Sequence, residues 1–226
     1  MSDGFAYLDI IFFAMVAAFI ALRLRSVLGR RTGNERRRPS RVEHAGAATS
    51  DNVVRMPEAT ADLEARVDPT SDLADAAARD GLEDIARADR RFNLADFVNG
   101  AKAAFAMILE CFAKGDRESL RPLLSDQVYT GFDTAIADRE RQGHTLQSEI
   151  VSMNGAEVVE ASLVGNLARI AVRFVTEQVI VMKDAQGHII DGDPERNDQV
   201  IDIWTFERDA YSSDPNWQLV ETRTAT

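Results

Sequence analysis

The chain has 226 residues, enough for one ordinary domain with length to spare. Its formal charge of −11 argues against a nucleic-acid binder as a whole, and its single cysteine, Cys111, excludes an intrachain disulfide. The charge is unevenly placed: residues 23–41 carry eight Arg and one Glu, residues 42–91 are net −6, and residues 92–226 are net −10.

From Phe5 to Leu24 the chain reads FAYLDIIFFAMVAAFIALRL, and residues 10–22 contain no polar side chain. A helix of twenty residues is about 30 Å long, the thickness of a bilayer's hydrocarbon core. Tyr7 stands where an interfacial aromatic holds such a helix. A secretory signal peptide needs a basic region before its apolar run; here the N-terminus holds Asp3 and Asp9 and the arginines follow, so the charge order is reversed. A single membrane-spanning anchor is therefore expected over residues 1–25. The arginines after it predict an outward N-terminus and a cytoplasmic C-terminal body at the inner membrane. Arg23, Arg25, Arg30, Arg31, Arg36, Arg37 and Arg38 are expected to set this topology and to touch anionic head groups.

Residues 26–91 are expected to be a linker, basic and then acidic. Gly33, Pro39, Gly46, Pro57 and Pro69 punctuate it, and it lacks a sustained apolar period, so 33–70 is expected to be disordered. The stretch 72–91, DLADAAARDGLEDIARADRR, reads as transient helix broken by Gly81.

A folded domain is expected over 92–224. Leu94, Phe97, Val98, Ala101, Phe105, Ile108, Leu109 and Phe112 recur at the 3.6-residue period of a half-buried helix. Asn93 is suited to cap it, Phe92 and Phe97 to staple its start, and Gly115 to end it. Asp116 opens a short turn of helix containing Leu120. Ser125 caps the next helix, expected over about 126–142 with Val128, Tyr129, Phe132, Ala135 and Ile136 on its apolar face.

After Gly143 the period changes to two, and strands are predicted over 147–154, 157–164, 167–182, 199–208 and 217–224. Asn154-Gly155 and Gly165-Asn166 read as hairpin turns, with a further turn at Ala185-Gln186-Gly187. Helical pieces followed by an antiparallel, curved sheet predict an α+β domain with helices on one face.

The segment GAKAAFAMILECFAKGDRESLRPLLSDQVYTGF (100–132) and the ending VIDIWTFERDAYSSDPNWQLVETR (200–223) resemble the Tim44-like domain family. The turn from Gly115-Asp116 to Leu123-Leu124, the WTFER strand and the DPNW hairpin stand together in the family's order. The family takes its name from the tether of the mitochondrial import motor and includes bacterial TimA-type adaptor proteins. The resemblance implies a cone-shaped fold of the nuclear-transport-factor-two superfamily, an apolar pocket, membrane association and a scaffold or adaptor role in protein translocation or assembly. Implied partners are the lipid bilayer, a protein at the inner membrane, and an anionic lipid or acyl chain; nucleic acid is not among them.

Phe105, Leu109, Phe132, Ile136, Phe174 and Trp204 are the candidate lining of that pocket, or alternatively plain core. The acidic loop DGDPERND (191–198) has Arg196 where a calcium loop needs glycine and Asp202 where it needs Glu, so a solvated turn and no metal are expected. His44, His144 and His188 are scattered, and no cofactor fingerprint is present. The alternative function is a small-molecule enzyme of the ketosteroid-isomerase-like type. It would use Tyr129, Asp133 or Asp202 in an apolar pocket. The expectation is a binding domain, not an enzyme.

Overall fold

The computed structural model describes residues 62, 63, 65–68 and 72–224. The expected anchor, its arginines and most of the expected linker lie outside them. No helix among the described residues is long and apolar enough to cross a membrane.

The caps legible in the sequence set the helical part. Helix α1 spans Arg79–Ala88 after a 3₁₀ turn at Ala76–Ala78, and α2 spans Leu94–Lys114. Asn93 accepts from the Asp96 N–H at 3.1 Å, and the Phe92 and Phe97 rings stand 6.0 Å apart across the same turn. Gly115 closes α2 at φ 73°, a conformation costly for any residue with a Cβ. Arg139 then donates to the Phe112 and Ala113 carbonyls at 2.8 and 3.0 Å, satisfying acceptors the helix end leaves open. Helix α3 (Arg117–Leu120) is capped by Asp116, and α4 (Asp126–Arg141) by Ser125.

The strands form one antiparallel sheet in the order β1-β2-β4-β5, comprising β1 (Thr145–Val164), β2 (Leu167–Lys183), β4 (Asp198–Asp209) and β5 (Gln218–Thr224). A short β3 (Ile189–Gly192) also pairs with β2, beyond the end of β4. The domain is α+β, with helices on an antiparallel sheet. Each sheet edge is met by a single parallel rung from the helical part. Val158 of β1 exchanges bonds with Leu73 and Asp75, and Leu219 of β5 with Leu123 and Ser125, all at 2.8 to 2.9 Å.

Alternate residues of β2 (Ala168, Ile170, Val172, Phe174) and of β4 (Trp204, Phe206) turn to the helices and are buried. Phe105 of α2 stacks on Phe174 at 4.4 Å between centroids and meets Trp204 at 4.5 Å in a tilted contact. A second aromatic group, Phe92, Phe97, Phe206 and Trp217, fills the space under the Gly165-Asn166 turn.

Two expectations are corrected. Asn154-Gly155 is not a turn: β1 runs through it as one strand of twenty residues, and Gly155 lies opposite Val175. A register shift between Met153 and Gly155 absorbs the irregularity, so long-range pairing overrides the local turn signal. Residues 72–91 are not a spacer broken at Gly81. They carry α1, whose Leu82, Ile85 and Ala86 are in the core. Gly81 sits within the helix because a Cβ there would stand 2.0 Å from the Ala161 carbonyl oxygen; its missing side chain lets α1 lie directly on β1.

Candidate functional site

The C-terminal half of α2 and the far ends of β1 and β2 do not close on each other. Between them runs a groove of two adjoining hollows, of about 420 and 340 Å³. Ala106, Leu109 and Ala113 supply the helix wall, at the i, i+3, i+7 spacing of one helical face. Leu146, Ile150, Val179 and Val181 supply the sheet side, and Pro194 of the loop after β3 closes one flank. The polar margin is mixed: Glu110, paired with Lys114 on the same helix, Glu149 from β1, and the neutral Gln147 and Ser148. Gly192 places that flank. It holds φ 82°, and a Cβ there would stand 2.0 Å from the Ile180 carbonyl oxygen.

Next to the groove the sheet face turns polar. Gln178 donates to the Thr176 hydroxyl at 2.8 Å, and both side chains are buried. Asp202, opposite Phe174 in the ladder, accepts from the Thr224 hydroxyl at 3.1 Å. Burial pushes the Asp202 carboxyl above the usual carboxylate range, and the single hydroxyl bond offsets this only in part.

At the other end of the sheet lies a charged knot. Arg208 of β4 pairs with Asp89, which follows α1, and both are buried. Burial alone would raise Asp89, but the Arg91 backbone N–H at 2.9 Å and the Arg208 guanidinium outweigh it and hold the carboxyl below its ordinary value. Arg208 also lies over the Trp217 ring at 5.0 Å, and its Nε is buried without a partner among the described residues. Arg66 donates to the Ala86 and Asp89 carbonyls at 2.7 and 3.2 Å.

Of the six expected pocket residues, the structure places Phe105, Ile136, Phe174 and Trp204 in the filled core. Phe132 is half-buried and packs edge-on to Phe112 at 5.1 Å. Leu109 alone lines the groove. The expected catalytic groups do not meet: Arg117 donates to Asp133 at 2.6 Å, Arg121 lies 4.7 Å from the Tyr129 ring centroid, and Asp202 is on β4. Sequence reasoning missed the groove's sheet side. The available signal was the run Val179-Ile180-Val181-Met182, which keeps apolar residues on both faces at the end of β2.

A family model described as the Tim44-like domain matches residues 78–224. The probable mitochondrial import inner membrane translocase subunit tin-44 of Caenorhabditis elegans is 24% identical over 144 residues, covering 62% of this chain and 34% of that protein. The mitochondrial import inner membrane translocase subunit TIM44 of Mus musculus is 22% identical over 143 residues, 62% of this chain and 32% of its own. The chain thus spans about a third of the length of these relatives. The uncharacterized protein RP434 of Rickettsia prowazekii (strain Madrid E) is 23% identical over 221 residues, 94% of this chain and 95% of its own. Among solved structures, the intermembrane space region of the chloroplast protein ARC6 is similar at a TM-score of 0.39 and 12% identity, over 56% of this chain and 95% of that one. With its match running from the 3₁₀ turn before α1 to the end of β5, the chain belongs to the Tim44-like domain family.

Proposed function

We propose that this chain is a membrane-anchored adaptor: residues 1–25 span the inner membrane, the arginines after them touch anionic head groups, and the Tim44-like domain binds a membrane protein, a chaperone or a lipid in the cytoplasm. The domain is read as a cone of the nuclear-transport-factor-two type, its helices wrapped on the curved sheet. Tethering raises the domain's effective concentration at the bilayer, so a modest docking site suffices. The groove beside α2, apolar on its walls and of mixed charge at its margin, is the surface for that partner. The observation that carries the reading is the pairing of two features in one chain. One is a domain whose curated relatives are named as import inner membrane translocase subunits, and the other is a twenty-residue apolar stretch followed by arginines.

A photo-crosslinker at Glu195, beside the groove, tests it in membranes from cells expressing the full chain or a chain without residues 1–32. The expected result is a discrete membrane-protein or chaperone adduct that weakens on deletion. An unchanged adduct pattern means tethering does not select the partner. Release of the full chain by alkaline carbonate removes the anchor from the account.

One observation favours a second reading, the ketosteroid-isomerase-like enzyme: Asp202 is half-buried with a raised pKa, the property of a carboxylate kept for proton transfer. Isomerisation of a β,γ-unsaturated ketosteroid by the wild type and not by Asp202→Asn would support it; no turnover by either excludes this substrate class.

A further inference from the structure

The Gly165-Asn166 turn joins β1 to β2 at the end of the sheet opposite the groove, and its surroundings are apolar and exposed. Val164 is 71% exposed and Leu167 38%. The Asn166 carbonyl accepts from the Ala210 N–H at 2.8 Å, which brings the loop after β4 alongside, and in that loop Tyr211 is 70% exposed. Val164, Leu167 and Tyr211 thus put three large apolar side chains around one turn; Ile180, Ile189 and Ile190 are exposed at the sheet's other end, so what singles out this turn is the chain that approaches it. The carboxylate beside it is occupied: Asp209 takes the Asn166 amide at 2.6 Å through one oxygen and the Tyr211 N–H at 2.9 Å through the other. Arg91 reaches the same loop, donating to the Ser212 carbonyl at 2.6 Å, and Arg90 beside it is exposed.

The N-terminal part of the described chain comes in at this same end. Arg66 is bonded to Ala86 and Asp89, Asp89 pairs with Arg208, and Arg208 lies opposite Ala168, the neighbour of Leu167. The segment that leads back to the apolar stretch is therefore tied within a few residues of the patch. The far end of β2 at Lys183 is sixteen residues away, roughly 50 Å along an extended strand.

Resting on the anchored-adaptor reading, we infer that the β1–β2 turn is the face the domain lays on the bilayer: Val164, Leu167 and Tyr211 enter the head-group region of the lipid surface, with Arg90 and Arg91 beside them. A tyrosine among small apolar side chains suits that depth, where its ring is dry and its hydroxyl wet. Three side chains are too few to hold a protein of net charge −11 on lipid from solution. They suffice to orient a domain already tethered, and that orientation turns the groove away from the membrane toward a partner.

The test uses the full chain in vesicles of phosphatidylcholine and phosphatidylglycerol, carrying Cys111→Ser and one reporter cysteine, Val164→Cys, Tyr211→Cys or Gln186→Cys, labelled with an environment-sensitive fluorophore. The first two labels are expected to shift to the blue and to be quenched several-fold by lipid nitroxides; the label at 186, in the turn at the far end, is expected to stay in water. Adding Leu167→Asp to the Tyr211→Cys chain is expected to abolish that quenching while leaving the melting temperature within a few degrees. If the chain resists carbonate but all three labels are equally wet, the orientation is overturned and the adaptor reading stands. If carbonate releases the chain, both fall. A blue shift at 164 and 211 without vesicles overturns the inference in favour of a protein contact.

Discussion

Two places on the sheet treat an aspartate in opposite ways. Under the β1–β2 turn, Asp89 is given a guanidinium and a backbone N–H, and its charge is stabilised. At mid-sheet, opposite Phe174, Asp202 is given one hydroxyl, and its charge is disfavoured. The end under the β1–β2 turn is dense with aromatic rings and closed by α1; the other end is left open by arms of β1 and β2 that the helices do not cover. Charge satisfaction marks the end that the aromatic rings and α1 close.

The comparison breaks first if the knot is not what closes its end. Arg208→Met takes the buried guanidinium from Asp89 and leaves it only the Arg91 backbone N–H and the exposed Arg91 side chain, and a loss of about 3 kcal/mol in urea unfolding is expected. The double variant Asp89→Asn with Arg208→Met is expected to regain much of it; equal losses would show that Arg208 acts through packing on Trp217 alone. Gly81→Ala forces a Cβ against the Ala161 carbonyl and is expected to cost about 1–3 kcal/mol. Hydrogen exchange should place the loosening in α1, and protection of α1 equal to wild type would refute the direct contact. At the open end, Leu146→Ala in the groove wall is expected to cost only about 1 kcal/mol, because little packs against it.

The smallest effect has the opposite sign. A raised folded-state pKa means the folded form binds the Asp202 proton more tightly than the unfolded chain, whose carboxyl titrates near 3.9. Its cost therefore develops as pH rises from about 4 through the folded-state value. Asp202→Asn is expected to raise the melting temperature at pH 7 and to lose that advantage as pH falls toward 4. The Asp89 contribution runs the other way: it is present at neutral pH and lost on acidification through its lowered folded-state value. A wild-type protein more stable at pH 3 than at pH 7 would reverse the ranking of the two aspartates.

The sequence states the helical caps almost in full. Asn93, Gly115, Asp116 and Ser125 act through neighbours within a few residues, so their roles can be read from spacing alone. Trp204 and Phe206 on one strand face follow from alternation in the same way. What could not be read is whatever depends on a distant partner. Asn154-Gly155 carries a turn signal that pairing with β2 overrules, and Gly81 looks like a helix breaker until β1 is placed beneath it. Helical period and strand alternation put Phe105, Phe174 and Trp204 on faces turned to the core. Alternation does not distinguish a residue that lines space from one that fills it, and Phe105, Phe174 and Trp204 fill it with each other.

The lone rung between Leu73, Asp75 and Val158 gives the domain a mechanical character. Tension arriving along the N-terminal chain meets Arg66 at the end of α1, then this rung, before it reaches α2 or the aromatic core. A single rung peels rather than shears, so a moderate pull would strip α1 from β1 as a unit and spend its work there. The remaining sheet, laddered along β1, β2 and β4, would stay unloaded, as a fuse protects a circuit.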